Sequence, residues 1–136
     1  MIEILIAISV LVVILAGLAK LATVQIRNST FSQNQNQSSK LAQQAVEWVR
    51  SQRDADWVVF ATHTGNFCLN SLSWTTGICA ANDYSLESKF KRQASISDNS
   101  SPAGSNNSRQ VTVTVSWRDS SGTHTVTSET TLTNWK

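Results

Sequence analysis

The chain has 136 residues, 15% of them charged, and its 11 Lys+Arg against 9 Asp+Glu leave a net charge of +2. That balance does not favour a polyanion as the default partner. Two histidines and two cysteines leave little material for a metal cage, and one proline with five glycines excludes collagen-like chains and most low-complexity linkers. Ser, Thr, Asn and Gln fill much of the remainder, a composition suited to an extracellular surface.

The first element in chain order is apolar. Ile4 to Ala19 carries no charge and is bounded by Glu3 and Lys20. As a helix at about 1.5 Å per residue it spans roughly 24 Å, and Leu21, Ala22 and Val24 bring it near the ~30 Å hydrocarbon core of a bilayer. Lys20 reaches the interface by snorkelling. Met1-Ile2-Glu3 precedes the run with no basic residue, which is not the pattern of a secretory signal. A carboxylate at the edge of such a segment is unusual, because carried to the membrane centre it costs about 2.5–3.5 kcal/mol.

The helical pattern then continues. Leu41, Ala42, Ala45, Val46, Trp48 and Val49 recur at three and four residues opposite Gln43, Gln44, Glu47 and Arg50, an amphipathic helix that packs on something. The polar stretch from Asn28 to Ser39 between the two signals contains neither Gly nor Pro, so one helix is predicted from about residue 1 to about 53. Gly17 is its candidate weak point. Such a rod is roughly 80 Å long, whereas the remaining chain makes a globule with a radius of gyration of about 12 Å. The apolar first half is therefore expected to protrude.

Beyond Arg53 the helical period is lost. Trp57-Val58-Val59-Phe60 either closes the helix or begins the core, and Thr62 to Asp83, with both cysteines, reads as a long loop. Tyr84, Leu86, Phe90, Ala94 and Ile96 fall on even positions, as in one or two strands. Asp98 to Asn107, with Pro102 and Gly104, is a turn region. Val111, Val113, Val115 and Trp117 alternate with polar residues, Asp119-Ser120-Ser121-Gly122 reads as a turn, and a Thr-rich strand with Val126 and Leu132 follows to near Trp135. A hairpin with one apolar face needs a cover, and the stripe from Leu41 to Val49 supplies it. The fold class is α+β: a long N-terminal helix packed against a C-terminal antiparallel sheet. Residues 1–26 form the membrane or filament half of the helix, 27–53 its amphipathic half, and 54–136 the head.

Met1-Ile2-Glu3-Ile4-Leu5-Ile6-Ala7-Ile8-Ser9-Val10 resembles the N-terminus of type IV pilins and pseudopilins, whose mature chains begin with a Phe-Thr-Leu-Ile-Glu type motif and an apolar helix. The likeness is specific over about the first 25 residues and architectural beyond them. The glutamate is fifth in that family and third here, the cysteines precede the sheet rather than bridging a C-terminal loop, and no proline stands near position 20. The resemblance implies the pilin fold and a precursor held in the cytoplasmic membrane. A prepilin peptidase would process it, commonly with methylation of the new terminal amine, and an assembly platform driven by an ATPase would extrude it. The product is an extracellular helical homo-oligomer serving adhesion, twitching motility or DNA uptake. The residues implied in assembly are Glu3, paired with a neighbour's terminal amine, and Ile4, Leu5, Ile8, Leu11, Val12 and Leu15. Two other readings stand beside it: a type II secretion pseudopilin, and a monomeric membrane-anchored binding protein.

Cys68 and Cys79 are too far apart for a redox Cys-x-x-Cys pair and read as a structural disulfide in an exported chain. His63 and His124 lack neighbours at ligand spacing, so they read as surface residues; no catalytic constellation, metal or cofactor is expected. Asp54 and Asp56 lack the further ligands that calcium requires. Lys89, Lys91 and Arg92, with Arg109 and Arg118, are the candidate contact for DNA or a surface, a weaker reading than that of a solvated flank around an inward Phe90. Asn28, Asn36, Asn99 and Asn106 stand in Asn-x-Ser/Thr sequences, the acceptor pattern for N-linked sugar.

Overall fold

The computed structural model describes residues 2–100, 104, 105 and 107–134. Helix α1 covers Ile2–Ala55, 54 residues without interruption. Neither Gly17 nor the polar stretch breaks it. Hydroxyls that would otherwise compete with the helix bond back onto it: Ser9 Oγ donates to Ile6 O at 2.8 Å, Thr23 to Ala19 O at 3.1 Å, Thr30 to Ile26 O at 3.0 Å and Ser39 to Gln35 O at 3.0 Å. By its contacts the chain divides into two units, Met1–Asn34 and Gln35–Lys136, and α1 runs through both.

At Asp56 the backbone becomes extended (φ −155°, ψ 107°), and its carboxylate accepts a hydrogen bond from Val59 N at 3.1 Å. That N-cap starts a second short helix, α2 (Trp57–Thr62), which buries Phe60. The Trp57 to Phe60 run thus does not close α1, which stops before it, and contributes to the core through α2.

Five antiparallel strands follow: β1 (Gly65–Cys68), β2 (Thr75–Thr76), β3 (Phe90–Asp98), β4 (Ser108–Asp119) and β5 (Gly122–Thr133), in the spatial order β2-β1-β3-β4-β5. The segment 62–83 is therefore not only a loop. β1 pairs with β3, Phe67 opposite Ala94 and Cys68 opposite Gln93, but it is too short to display an alternation in the sequence. The strand expected from Tyr84 starts only at Phe90. Glu87 (φ 50°) and Ser88 (φ 59°) are left-handed and turn the chain, and Phe90 N bonds to Leu86 O at 2.8 Å. The β4–β5 hairpin turns where expected, at Asp119 to Gly122, and is paired from Asp119 opposite Gly122 to Ser108 opposite Thr133. Pro102, Asn106 and Trp135 lie outside the described residues. Where the 98–107 turn is described, Ser100 Oγ donates to Ser108 O and accepts from Asn107 N and Ser108 N.

The core forms where the α1 stripe meets the sheet. Ser38, Leu41, Ala42, Ala45, Val46 and Val49 are buried on the helix; Phe90, Ala94, Ile96, Val111, Val113, Val115 and Trp117 are buried on β3 and β4. The two alanines add no bulk to the stripe, so larger side chains on the sheet can fill the space opposite them.

Cys68 and Cys79 are disulfide-bonded, with a sequence separation of 11. For a loop of this size the chain-entropy model assigns the bond about 2–3 kcal/mol. Replacing both cysteines with alanine is expected to lower unfolding stability by that amount, read as a lower denaturation midpoint with a steeper slope, because the unbridged chain exposes more surface when unfolded. An unchanged midpoint would show that the bridge does not constrain the unfolded chain.

Candidate functional site

The sequence-selected assembly residues all lie on the first turns of α1. Ile4, Leu5, Ile8, Leu11, Val12 and Leu15 are 53–68% exposed. Val10, Val13, Ile14 and Leu18 on the remaining sides are equally bare, so this part of the helix is apolar all round. A helix of that kind belongs in a large core or in lipid. Burying a large apolar side chain contributes about 1.5–3 kcal/mol, so over Ile2 to Ile26 the exposed surface represents on the order of 20 kcal/mol or more. The stretch is long and apolar enough to cross a membrane. The Ser9 hydroxyl is satisfied within the helix, which is the condition lipid imposes. Glu3 lies exposed in the first turn, where the helix dipole favours a carboxylate.

The basic residues of the head do not form one patch. Arg92 sits on the core face of β3, 1% exposed. Its Nε donates to Leu69 O at 3.0 Å, and its Nη1 donates to Leu41 O and to Gln44 Oε1, each at 2.9 Å. Burial lowers its pKa, partly offset by the charge of Glu87. It joins α1, the β1 loop and β3 and is not available to a surface ligand. Arg109, 3% exposed, is likewise turned inward, to Asp98 and to Ala61 O, each at 2.9 Å. On the outer side, Lys91 Nζ and the Arg118 guanidinium stand over the Tyr84 ring at 5.1 and 5.3 Å. Lys89 Nζ is 6.0 Å from the Phe90 ring centroid. Asp54 pairs with Arg53 while Asp56 caps α2, so each carboxylate has its own local bond. Asp83 lies close to both cysteine sulfurs, but these are bonded to each other and offer no thiolate to a metal.

Both histidines have partners that spacing did not reveal. His63 Nδ1 lies 3.0 Å from Val59 O, and its ring stacks on Trp74 at 4.3 Å. Trp48 covers Trp74 at 4.7 Å, and Phe67 meets it edge-on at 5.1 Å. Beside this cluster a hollow of about 170 Å³ is lined by Gln52, Asp56, Val59, Phe60, His63 and Trp74, among others. Because His63, Trp48 and Phe67 all lie against Trp74, the cluster acts as a small aromatic core beneath the α1–α2 corner.

His124 belongs to the β4–β5 turn. Its Nε2 is 3.0 Å from Asp119 Oδ1 and 3.1 Å from Ser121 Oγ, and Ser121 Oγ donates to Asp119 Oδ1 at 2.6 Å. The residue types are those of a hydrolytic triad, but acid and hydroxyl converge on the same ring nitrogen. A relay needs them on opposite nitrogens, so this arrangement fixes the turn. Asp119 is held at about 2, chiefly by the Ser121 hydroxyl, then by the Ser121 backbone N–H and by His124. Its folded pKa is below the ordinary ~3.9, so the stabilisation is complete above about pH 4 and is lost as pH falls towards 2. An amide titration of Ser121 by NMR is expected to show a midpoint near pH 2 that disappears in Asp119→Ala. A midpoint near 4 would mean that the turn bonds do not hold the carboxylate.

Comparison of the chain with protein-family models, curated proteins and solved structures gave no significant match.

Proposed function

We propose that this protein is a type IV pilin, a structural subunit that polymerises through the first half of α1 into a surface filament. The observation that carries the reading is the helix surface from Ile4 to Ala19, exposed and apolar on every side, with a carboxylate, Glu3, in the first turn before it. The α+β head with its disulfide fits a pilin-like shape. In this reading the apolar helix waits in the cytoplasmic membrane and exchanges lipid for neighbouring helices as the filament grows. Glu3 then pairs with the terminal amine of a neighbouring subunit. A matched pair in a low-dielectric bundle roughly breaks even, whereas an unmatched carboxylate there is strongly unfavourable, so the contact sets subunit register more than it adds stability. A prepilin peptidase and an assembly platform are the implied partners, and assembly rather than turnover of a substrate is the activity.

Electron microscopy of fibres sheared from cells, with mass spectrometry of their principal protein, tests this. Long fibres composed of this chain are expected. Short periplasmic assemblies in place of surface fibres would favour the pseudopilin reading, and a chain that stays with the membrane on shearing would favour a monomeric anchored protein.

A further inference from the structure

The two edges of the sheet differ. One is closed by β2, only Thr75–Thr76, while the other is β5, twelve residues from Gly122 to Thr133. Among the described residues no strand lies outside β5. Long open edges are usually blunted by lysine, proline or a bulge, because an unpaired row of N–H and C=O groups is a template for another strand. β5 has none of these: its pairing to β4 is continuous, it contains no Lys or Pro, and Glu129 is its single acidic residue.

The alternation of the ladder shows which groups are open. Asn134 N donates to Asn107 O at 2.9 Å, one step beyond the Ser108–Thr133 pair. Even-numbered residues of β5 therefore direct their backbone groups to β4, and odd-numbered residues direct theirs outward. The outward set is Thr123, Thr125, Thr127, Glu129, Thr131 and Thr133, all exposed. We propose that this edge is an interaction surface for the same edge of a second copy of the chain, paired antiparallel about a two-fold axis at Ser128.

The second copy is the fitting occupant because the edge is its own complement. With Ser128 opposite Ser128, Thr123 meets Thr133, Thr125 meets Thr131 and Thr127 meets Glu129. Every outward residue then lies in a hydrogen-bonded pair, giving roughly a dozen N–H···O bonds. No other register uses all six on both strands. Directly opposed like charges are absent, and the β-branched threonines suit a strand that continues into a wider sheet. The contact does not depend on the filament reading: it joins heads, whereas α1 would join subunits along a filament.

The register can be tested by cross-linking the full-length chain in phosphatidylcholine–phosphatidylglycerol vesicles. Ser128 stands in a non-hydrogen-bonded pair across the axis, with Cα atoms about 4.5 Å apart, within the range of a disulfide. Ser128→Cys, oxidised with copper phenanthroline, is expected to form a covalent dimer at least tenfold faster than Thr112→Cys on the outer face of β4. Thr127→Pro removes only an outward N–H, which an edge strand tolerates, and is expected to suppress the Ser128→Cys cross-link at least tenfold. Thr125→Pro serves the same purpose if circular dichroism shows that Thr127→Pro is unfolded. Glu3→Ala is expected to leave the cross-link intact, which separates this contact from assembly through α1. Equal rates for Ser128→Cys and Thr112→Cys, or a cross-link indifferent to a folded proline variant, would overturn the proposal.

Discussion

Glu3→Ala is expected to leave membrane insertion intact and to reduce the yield of sheared fibres by an order of magnitude or more. Insertion depends on the apolar residues from Ile4 onward, which the substitution does not touch, and removing a carboxylate from a segment edge makes the segment more apolar. Assembly differs. In a helix bundle the carboxylate limits the axial positions at which a neighbour can sit, because any register that leaves it unpaired places a charge in hydrocarbon. Alanine allows many registers of similar energy. Glu3→Gln keeps the shape and loses the charge, so it is expected to follow alanine. Membrane fractionation beside fibre counts reads both effects, and normal fibres from either variant would remove Glu3 from the mechanism.

The second large effect is expected at Arg92. Arg92→Ala removes three hydrogen bonds at 2.9–3.0 Å and leaves a gap beneath α1. Hydrogen bonds to a charged group contribute about 1.5–3 kcal/mol each, so a loss of about 3–5 kcal/mol is expected even after the recovered hydration of the guanidinium is counted. Arg92→Met, which fills the space without the charge, should lose less. Denaturant unfolding followed by tryptophan fluorescence reports the difference, since Trp117 and Trp74 both lie in the head. A loss under about 1 kcal/mol for Arg92→Ala would mean that the buried cation does not fasten the helix to the sheet. Lys89→Ala, on an exposed neighbour, provides the surface comparison.

The sequence revealed elements whose period extends over many residues. Leu41 to Val49 repeats at helical spacing and Val111 to Trp117 alternates without a break, so α1 and the β4–β5 hairpin were legible, as was the apolar surface from Ile2 to Ile26. Short elements were not. β1 and β2 have too few residues to show a period: β1 is held by pairing with β3, more than twenty residues away, and β2 by pairing with β1. The separate helix α2 depends on one cap, Asp56, whose neighbour Asp54 has the same side chain and a different role.

The candidate sites divide along the same line. Glu3 and the residues behind it stand out by charge and hydropathy alone. The inward turn of Arg92 was readable in part, since position 92 shares the even register of Phe90, Ala94 and Ile96. What outweighed that signal was the general preference of arginine for water, which here is overcome by three acceptors, two on α1 and one just after β1. The stacking of His63 on Trp74 and the convergence of Asp119, Ser121 and His124 depend on tertiary or turn geometry, and residue spacing carries no trace of either.

The first half of α1 is expected to require either lipid or other copies of itself. The most direct measurement is analytical ultracentrifugation of the purified full-length chain as detergent is withdrawn. Sedimentation as filaments or large assemblies, or recovery with added vesicles, is the expected result. A stable monodisperse monomer in detergent-free buffer would contradict it.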